Sequence, residues 1–294
     1  MIKIAHIVNP VAAEPGSRFH FIQKVTFQTM QTARNDAQDQ VEVDFVSAQY
    51  AEDRAMIPPD FLVTSDLDRS VLDIRDFTQP RKLPLIHDIL ERGFYATQAD
   101  YLIYTNMDIG LQPRFYKAVK HFIESGNDAF TINRRTISDQ YTRLEEIPLM
   151  YSQIGKPHPG WDCFVFRREL FSKFALGMIC VGAPLIGLVL ISNQITNANQ
   201  FRQLTDEHLT FHLGDDRAWN SGARREYALH NRRETLRLLR YIEQNGRPFP
   251  RQSPPRTYLA YHRNRLLAYF YDEIWLRVNI PMNVARPIRR LLRQ

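Results

Sequence analysis

The chain is poor in the features that mark several large protein classes. It has two cysteines in 294 residues, Cys163 and Cys180, both in apolar surroundings and without metal spacing. That argues against a disulfide framework and fits a reducing compartment. Glycine numbers 12. The loop after the first apolar run, Asn9-Pro-Val-Ala-Ala-Glu-Pro-Gly16, holds one glycine and an acid. A Gly-rich, basic phosphate loop of the kind expected in a nucleotidyltransferase is therefore missing. There is no low-complexity tract and no internal repeat.

Long hydrophobic runs are also missing. The strongest, Ala175 to Ser192, is borderline against the ~20 residues a membrane helix needs, and Gly182-Ala-Pro184 breaks it. It reads as a strand or loop up to Gly182, then a buried helix from near Pro184. Met1 to Val8 already reads as a strand and shows no basic leader with a cleavage site, so no secretory signal is expected. The expected location is cytoplasmic.

Lysine is absent from residues 217–294, which hold 17 arginines against 5 acids, a net of +12. The chain's net charge of +6 thus conceals a net of −6 over positions 1–216. So basic a segment calls for an anionic partner: phosphates, a membrane surface or nucleic acid. Its two helical patterns, about 226–244 and 259–278, are joined by a loop rich in Pro and Arg. The second is aromatic, with Tyr258, Tyr261, Tyr269, Phe270, Tyr271 and Trp275. Basic and aromatic residues together suit the inner face of an anionic membrane, with peripheral attachment. No nucleic-acid-binding module is recognisable, so no nucleic-acid partner is expected.

The other elements alternate strand and helix. Ile2–Val8 is a strand. Ser17 is a suitable N-cap for a helix from about Phe19 to Ala37. Val41 to Val46 is a second strand and Phe61 to Thr64 a third. Strand, helix, strand at this spacing forms a βαβ unit and implies a mostly parallel sheet flanked by helices, an α/β fold. Pro84 suits the first turn of a further helix, and Arg81 and Lys82 stand just before it, where exposed backbone N–H groups favour anions. The alternative for that pair is two solvated surface charges.

The centre of the chain is Tyr101-Leu-Ile-Tyr-Thr-Asn-Met-Asp108-Ile-Gly. Leu102, Ile103 and Tyr104 form a buried strand that ends in Asn106-Met107-Asp108. A carboxylate where such a strand opens into a loop lies at the usual ligand crevice of an α/β sheet. Hard divalent cations take oxygen ligands and often bridge a carboxylate to phosphates. The alternative is that Asn106 and Asp108 cap the next helix. Downstream, His158-Pro-Gly160-Trp161-Asp162 leads into the strand Cys163 to Phe166. Trp161 offers a flat face. Asp162 is placed to orient or deprotonate a hydroxyl, or else to close a turn. Later still come His212, Gly214 and Arg217.

This order of motifs resembles the GT-A-fold, nucleotide-sugar-dependent glycosyltransferases of the family 2-like kind, over about residues 1–220. Asn106-Met-Asp108 resembles their DxD motif, with Asn in the first position. The resemblance implies a GT-A-like (Rossmann-like) domain over 1–220, followed by a basic, aromatic helical extension over 221–294. It implies donor contacts at Asn9, Pro10, Arg81, Lys82, Asn106 and Asp108, with Mn2+ or Mg2+ on Asp108. His212 and Arg217 resemble a late His…Gly…Lys…Trp motif of glycogenin-like enzymes, one residue shorter and with Arg for Lys. By that likeness His212 is a second metal ligand, and Arg217 neutralises the departing diphosphate. His158 and Trp161 fall on the acceptor side. The implied activity is transfer of a sugar from a UDP- or GDP-linked donor to a hydroxyl of a carbohydrate or glycolipid, in polysaccharide or glycolipid synthesis. Gly182 to Gly187 lacks the acid that usually serves as base in inverting members, so Asp162 stands in for it. Inverting and retaining chemistry both stay open. The alternative is a non-catalytic GT-A-shaped protein that binds an anionic partner through its arginine-rich end.

Overall fold

A computed structural model describes residues 1–158, 160–214 and 225–245. The chain divides into two compact units, Met1–Pro250 and Arg251–Gln294. Arg217, the helical pattern near 259–278 and the basic tail lie outside the described residues.

The first unit is built on β1 (Ile2–Val8), a mainly apolar strand that is buried from Ile4 onward because it is covered on both faces. Ser17 accepts a hydrogen bond from the His20 amide at 3.2 Å and opens α1 (Arg18–Ala37). Next come β2 (Val41–Ser47), the two-residue β3 (Leu62–Val63) and α2 (Ile86–Ala96). β4 (Tyr101–Thr105) is wholly buried and runs into the short β5 (Gly110–Leu111). α3 (Phe115–Glu124), β6 (Ala129–Ile132), β7 (Arg135–Ile137), α4 (Ile147–Ser152), β8 (Lys156–Pro157) and β9 (Cys163–Arg167) follow. The described chain ends with α5 (Ile186–Asn197), β10 (Phe201–Leu204), β11 (Thr210–Leu213) and α6 (Arg225–Gln244).

Seven strands pair in the order β10-β6-β9-β4-β1-β2-β3. All run in one direction except β9, which is antiparallel to both β4 and β6. This is the mostly parallel, helix-flanked sheet expected of the sequence. A second sheet, β5-β11-β7-β8, stands beside it. Alternation along β1 assigns the two faces. Ile4 and Val8 pack into one core with Met30 of α1 and Phe115 of α3. Ile7 points the other way, against α2, where a Cβ on Gly93 would sit 2.4 Å from Ile7 Cδ1. Gly93 is thus the position that lets α2 lie directly on the strand.

The apolar stretch after Ala175 divides as its Gly-Ala-Pro break implies. Cys180 makes an isolated bridge with Leu85, and α5 begins at Ile186. α2 starts at Ile86 with Leu85 as its cap, just beyond Pro84. Among the described residues, no helix is long and apolar enough to cross a membrane. α6 packs against the same unit through its first turns. Tyr227 stacks on Phe77 at 4.1 Å, its hydroxyl donates to the Gln79 carbonyl at 2.8 Å, and it accepts from the Arg81 amide at 2.7 Å. Glu226 takes the amide and the hydroxyl of Thr78. Tyr227→Phe is expected to lose both hydrogen bonds and about 1–2 kcal/mol in urea unfolding, since the Arg81 amide loses its partner.

Candidate active site

The carboxyl end of β4, the carboxyl end of β6 and the start of β9 meet at one edge of the main sheet, because β9 runs antiparallel between the other two. Asp108 lies just past the end of β4. Directly after it, Gly110 of β5 pairs with Phe211 of β11, and the next residue of β11 is His212. A Cβ on Gly110 would approach Phe211 Cζ to 2.4 Å. The bare glycine therefore lets the Phe211 ring lie on β5 and fixes the register that carries His212 to Asp108.

His212 Nε2 lies 3.3 Å from Asp108 Oδ2. Its Nδ1 is 2.8 Å from the Gly214 carbonyl oxygen. A carbonyl only accepts, so Nδ1 carries the hydrogen and Nε2 of the neutral ring presents a lone pair. Metal-ligating histidines are typically held in this way by a carbonyl on the far nitrogen. Gly214 has φ 76°, a left-handed conformation that glycine adopts without strain. Burial works to lower the His212 pKa, but the adjacent Asp108 carboxylate outweighs it and the pKa is raised. Burial likewise opposes ionisation of Asp108, whose pKa is nevertheless held down by His212 and by the more distant charge of Arg134.

Asp162 is buried. Its Oδ1 accepts from Arg134 Nη1 at 3.0 Å, with side chains 12% and 10% exposed. His158 Nδ1 stands 3.3 Å from Asp162 Oδ2 and accepts from the Gly160 amide at 3.1 Å. The His158 loop is tied to the end of β6 at two points. The His158 amide donates to the Arg134 carbonyl at 3.1 Å, and Asn133 Nδ2 donates to the His158 carbonyl at 3.2 Å. Behind Trp161, a Cβ on Gly187 would fall 2.8 Å from the Trp161 carbonyl oxygen, so α5 abuts this segment at its second residue.

Five buried side-chain atoms here have no hydrogen-bond partner among the described residues: Asp108 Oδ1, Asn133 Oδ1, Arg134 Nε, Trp161 Nε1 and Asp162 Oδ2. Each such group costs about 1–3 kcal/mol if left unpaired. Their gathering at one sheet edge marks that edge as a place where polar partners are met from beyond the described residues.

The structure thus brings Asp108, His212, Arg134, Asp162 and His158 into one region. Asn106 is beside them, its Oδ1 accepting from the Tyr104 hydroxyl at 3.0 Å. Asn9 and Pro10 are buried at the end of β1, and Asn9 Nδ2 donates to the Ala48 carbonyl at 2.7 Å. Arg81 is exposed. Lys82 pairs with Glu52 at 2.6 Å and lies over the Tyr50 ring at 4.0 Å. Arg134 is the side chain that sequence reasoning passes over. Its signal is Asn133-Arg-Arg135 at the end of a strand, but the partner that gives it meaning, Asp162, comes only with the start of β9.

Asp108 and His212 are the residues that could hold a divalent cation: a carboxylate oxygen without a partner among the described residues and an oriented imidazole nitrogen lie side by side, and two protein ligands leave room for water and phosphate oxygens. Elsewhere among the described residues, His87, Asp88 and Glu91 also bring potential ligand atoms together. There Arg69 already holds both Asp88 oxygens at 2.7 Å.

Gly110→Ala is expected to push the Phe211 ring aside and cost about 1–3 kcal/mol, as overpacking does. Urea unfolding measures this, and an unchanged midpoint would show that the ring yields freely.

No protein-family model matches the chain, and no curated protein does. In shape it is similar to the crystal structure of S. aureus TarS 1–349 in complex with UDP. The TM-score is 0.46 at 11% identity, covering 81% of this chain and 65% of that one. It is also similar to S. aureus TarS itself, at TM-score 0.44 and 12% identity, covering 91% of this chain and 49% of that one. For TarS 1–349 in complex with UDP-GlcNAc the TM-score is 0.42 at 11% identity, with 91% and 79% covered. The chain therefore spans about two thirds of the first of these structures and half of the second.

Proposed function

We propose that the protein is a glycosyltransferase that moves a sugar from a nucleotide-sugar donor to an acceptor hydroxyl, in polysaccharide or glycolipid synthesis. One observation carries this reading: Asp108 and His212, far apart in the chain, meet at the carboxyl edge of a mostly parallel sheet with Nε2 and Oδ2 3.3 Å apart. The sequence around Asp108 resembles the DxD motif of such enzymes, and His212 resembles the metal-ligating histidine of the late motif in their glycogenin-like members.

Asp108 and His212 would hold Mn2+ or Mg2+, which supplies positive charge to the diphosphate as it departs. Asn106 has one oxygen lone pair taken by Tyr104 and keeps its amide hydrogens for a donor oxygen. Asp162 orients the acceptor hydroxyl and, in an inverting reaction, receives its proton at Oδ2, the oxygen with no hydrogen-bond donor on it. Arg134 holds Asp162 in place through Oδ1 and adds a fixed positive charge near the leaving group. Arg217, by its resemblance, adds another. Trp161 and His158 border the acceptor, and Arg81 and Lys82 the donor.

The test is the melting temperature with UDP, GDP, CDP and dTDP, each with and without Mn2+, for the wild type and Asp108→Ala. A ligand at ~100 times its dissociation constant adds about 2.7 kcal/mol. A shift with one nucleotide that needs both the metal and Asp108 supports the reading and names the donor class. No shift with any nucleotide overturns it in favour of a non-catalytic protein of this fold, a reading to which Asn106, neutral where an acid is usual, lends weight.

A further inference from the structure

α6 is amphipathic in an asymmetric way. Leu236, Leu238, Leu239 and Ile242 are buried. Its acids near the body are engaged inward: Glu226 holds Thr78, and Glu234 accepts from the Met178 amide at 3.2 Å. The opposite side of its second half carries Arg233, Arg237 and Arg240, all exposed, with Tyr241 beside them at 54% exposure. Arg237 is 77% exposed and only 3.9 Å at its nearest from Glu234. Among the described residues, Arg233 and Arg240 make no ion pair. Positions 233, 237, 240, 241 and 244 recur at helical spacing, so this is one face, about 16 Å long at roughly 1.5 Å per residue.

We propose that this face of α6 docks on an anionic membrane surface. The inference is independent of the glycosyltransferase reading. Charge complementarity carries it: Glu226 and Glu234 are engaged inward, and among the described residues the outward cations have little of opposite sign to neutralise them. A line of arginines along one convex helix matches the plane of lipid headgroups, and an amphipathic ring such as that of Tyr241 suits their boundary with the acyl chains. The sequence that follows has the same character. Residues 251–294 hold 9 arginines, no lysine, 2 acids and the aromatics Tyr258, Tyr261, Tyr269, Phe270, Tyr271 and Trp275. Arginine keeps its charge at any physiological pH and forms paired hydrogen bonds to phosphate.

Vesicle co-sedimentation of the full chain tests this, with phosphatidylcholine vesicles and with vesicles in which one lipid in three is phosphatidylglycerol. The wild type is expected to sediment with the anionic vesicles, and less so as salt rises. Arg233→Gln, Arg237→Gln and Arg240→Gln combined should weaken that partitioning by about tenfold or more, since each cation near the surface contributes to attraction. The matching triple lysine variant keeps the charge and should retain most of the binding. These side chains are exposed, so both variants should melt as the wild type does; if the glutamine variant does not, the lysine variant decides. Equal sedimentation with neutral vesicles, no sedimentation of the wild type, or a glutamine triple variant that binds as the wild type overturns the proposal. So does release from the vesicles by an equimolar single-stranded oligonucleotide, which would assign the face to nucleic acid.

Discussion

Arg134→Leu is expected to destabilise the protein by about 3–5 kcal/mol, the range seen when one partner is removed from a buried ion pair. Arg134 and Asp162 are 12% and 10% exposed and 3.0 Å apart, so the carboxylate left behind is held in a poorly hydrated place. Its other oxygen already lacks a hydrogen-bond donor, and the ring nearest to it, that of His158, presents an Nδ1 that accepts from the Gly160 amide. Asp162→Asn alone should cost less, because it removes the charge and keeps an acceptor for Arg134. The double variant should recover part of the loss caused by Arg134→Leu, and the coupling from the four-member cycle isolates the pair from the packing of the arginine stem. Urea unfolding measures all four. A loss under about 1 kcal/mol for Arg134→Leu would mean that water reaches the pair and that it behaves as a surface bridge. The same variant should also lose the nucleotide-dependent stabilisation, since the Arg134 charge reaches both Asp108 and His212.

The parts of the fold that the sequence reveals are those with enough length for a period to show. β1, β2 and β4 are runs of five to seven residues, α1 has its Ser17 cap, and α6 has arginines interleaved with leucines. The second sheet is a different matter. β5 and β8 are two residues long and β7 three. They exist because partners distant in sequence pair with them, and no local pattern encodes that. The site divides along the same line. Asp108 is legible because it ends a buried strand, and His212 because a late His…Gly motif has a known likeness. Their approach to 3.3 Å depends on Gly110 admitting the Phe211 ring, a contact between residues far apart in sequence. Arg134 looks like any cation at a strand end until β9 brings Asp162 beside it. Lys82 is legible as a cation ahead of a helix, but its neighbours in the fold, Glu52 and the Tyr50 ring, come from a distant stretch that no local pattern links to it.

Acidification is expected to unfold the protein through His6 before its carboxylates are protonated. His6 lies in β1, fully buried, between the Tyr116 hydroxyl at 2.8 Å and the Thr105 hydroxyl at 2.9 Å. With no carboxylate beside it, burial alone pushes its pKa from 6.5 down to about 3. The native ring is therefore neutral where the unfolded ring takes up a proton. Stability is unaffected above about pH 6.5 and falls as pH drops from there towards 3, by up to about 1.36 kcal/mol per pH unit. The total approaches about 5 kcal/mol, a large share of the stability of a typical domain. His208, also lowered, adds to the same slope. His87 and His212 have raised pKa values, so their stabilisation is present at low pH and is lost as pH rises above about 6.5, outside this window. Asp88 is lowered to about 2, Arg69 and His87 outweighing its burial; its stabilisation is lost only below about pH 4. Between pH 6.5 and 5 the slope is thus chiefly that of His6. His6→Gln should be less stable at pH 7, because the ring's fit between two hydroxyls is lost, yet its unfolding free energy should fall more gently from pH 6.5 to 5. Parallel slopes for the variant and the wild type would show that His6 accepts its proton without unfolding the chain.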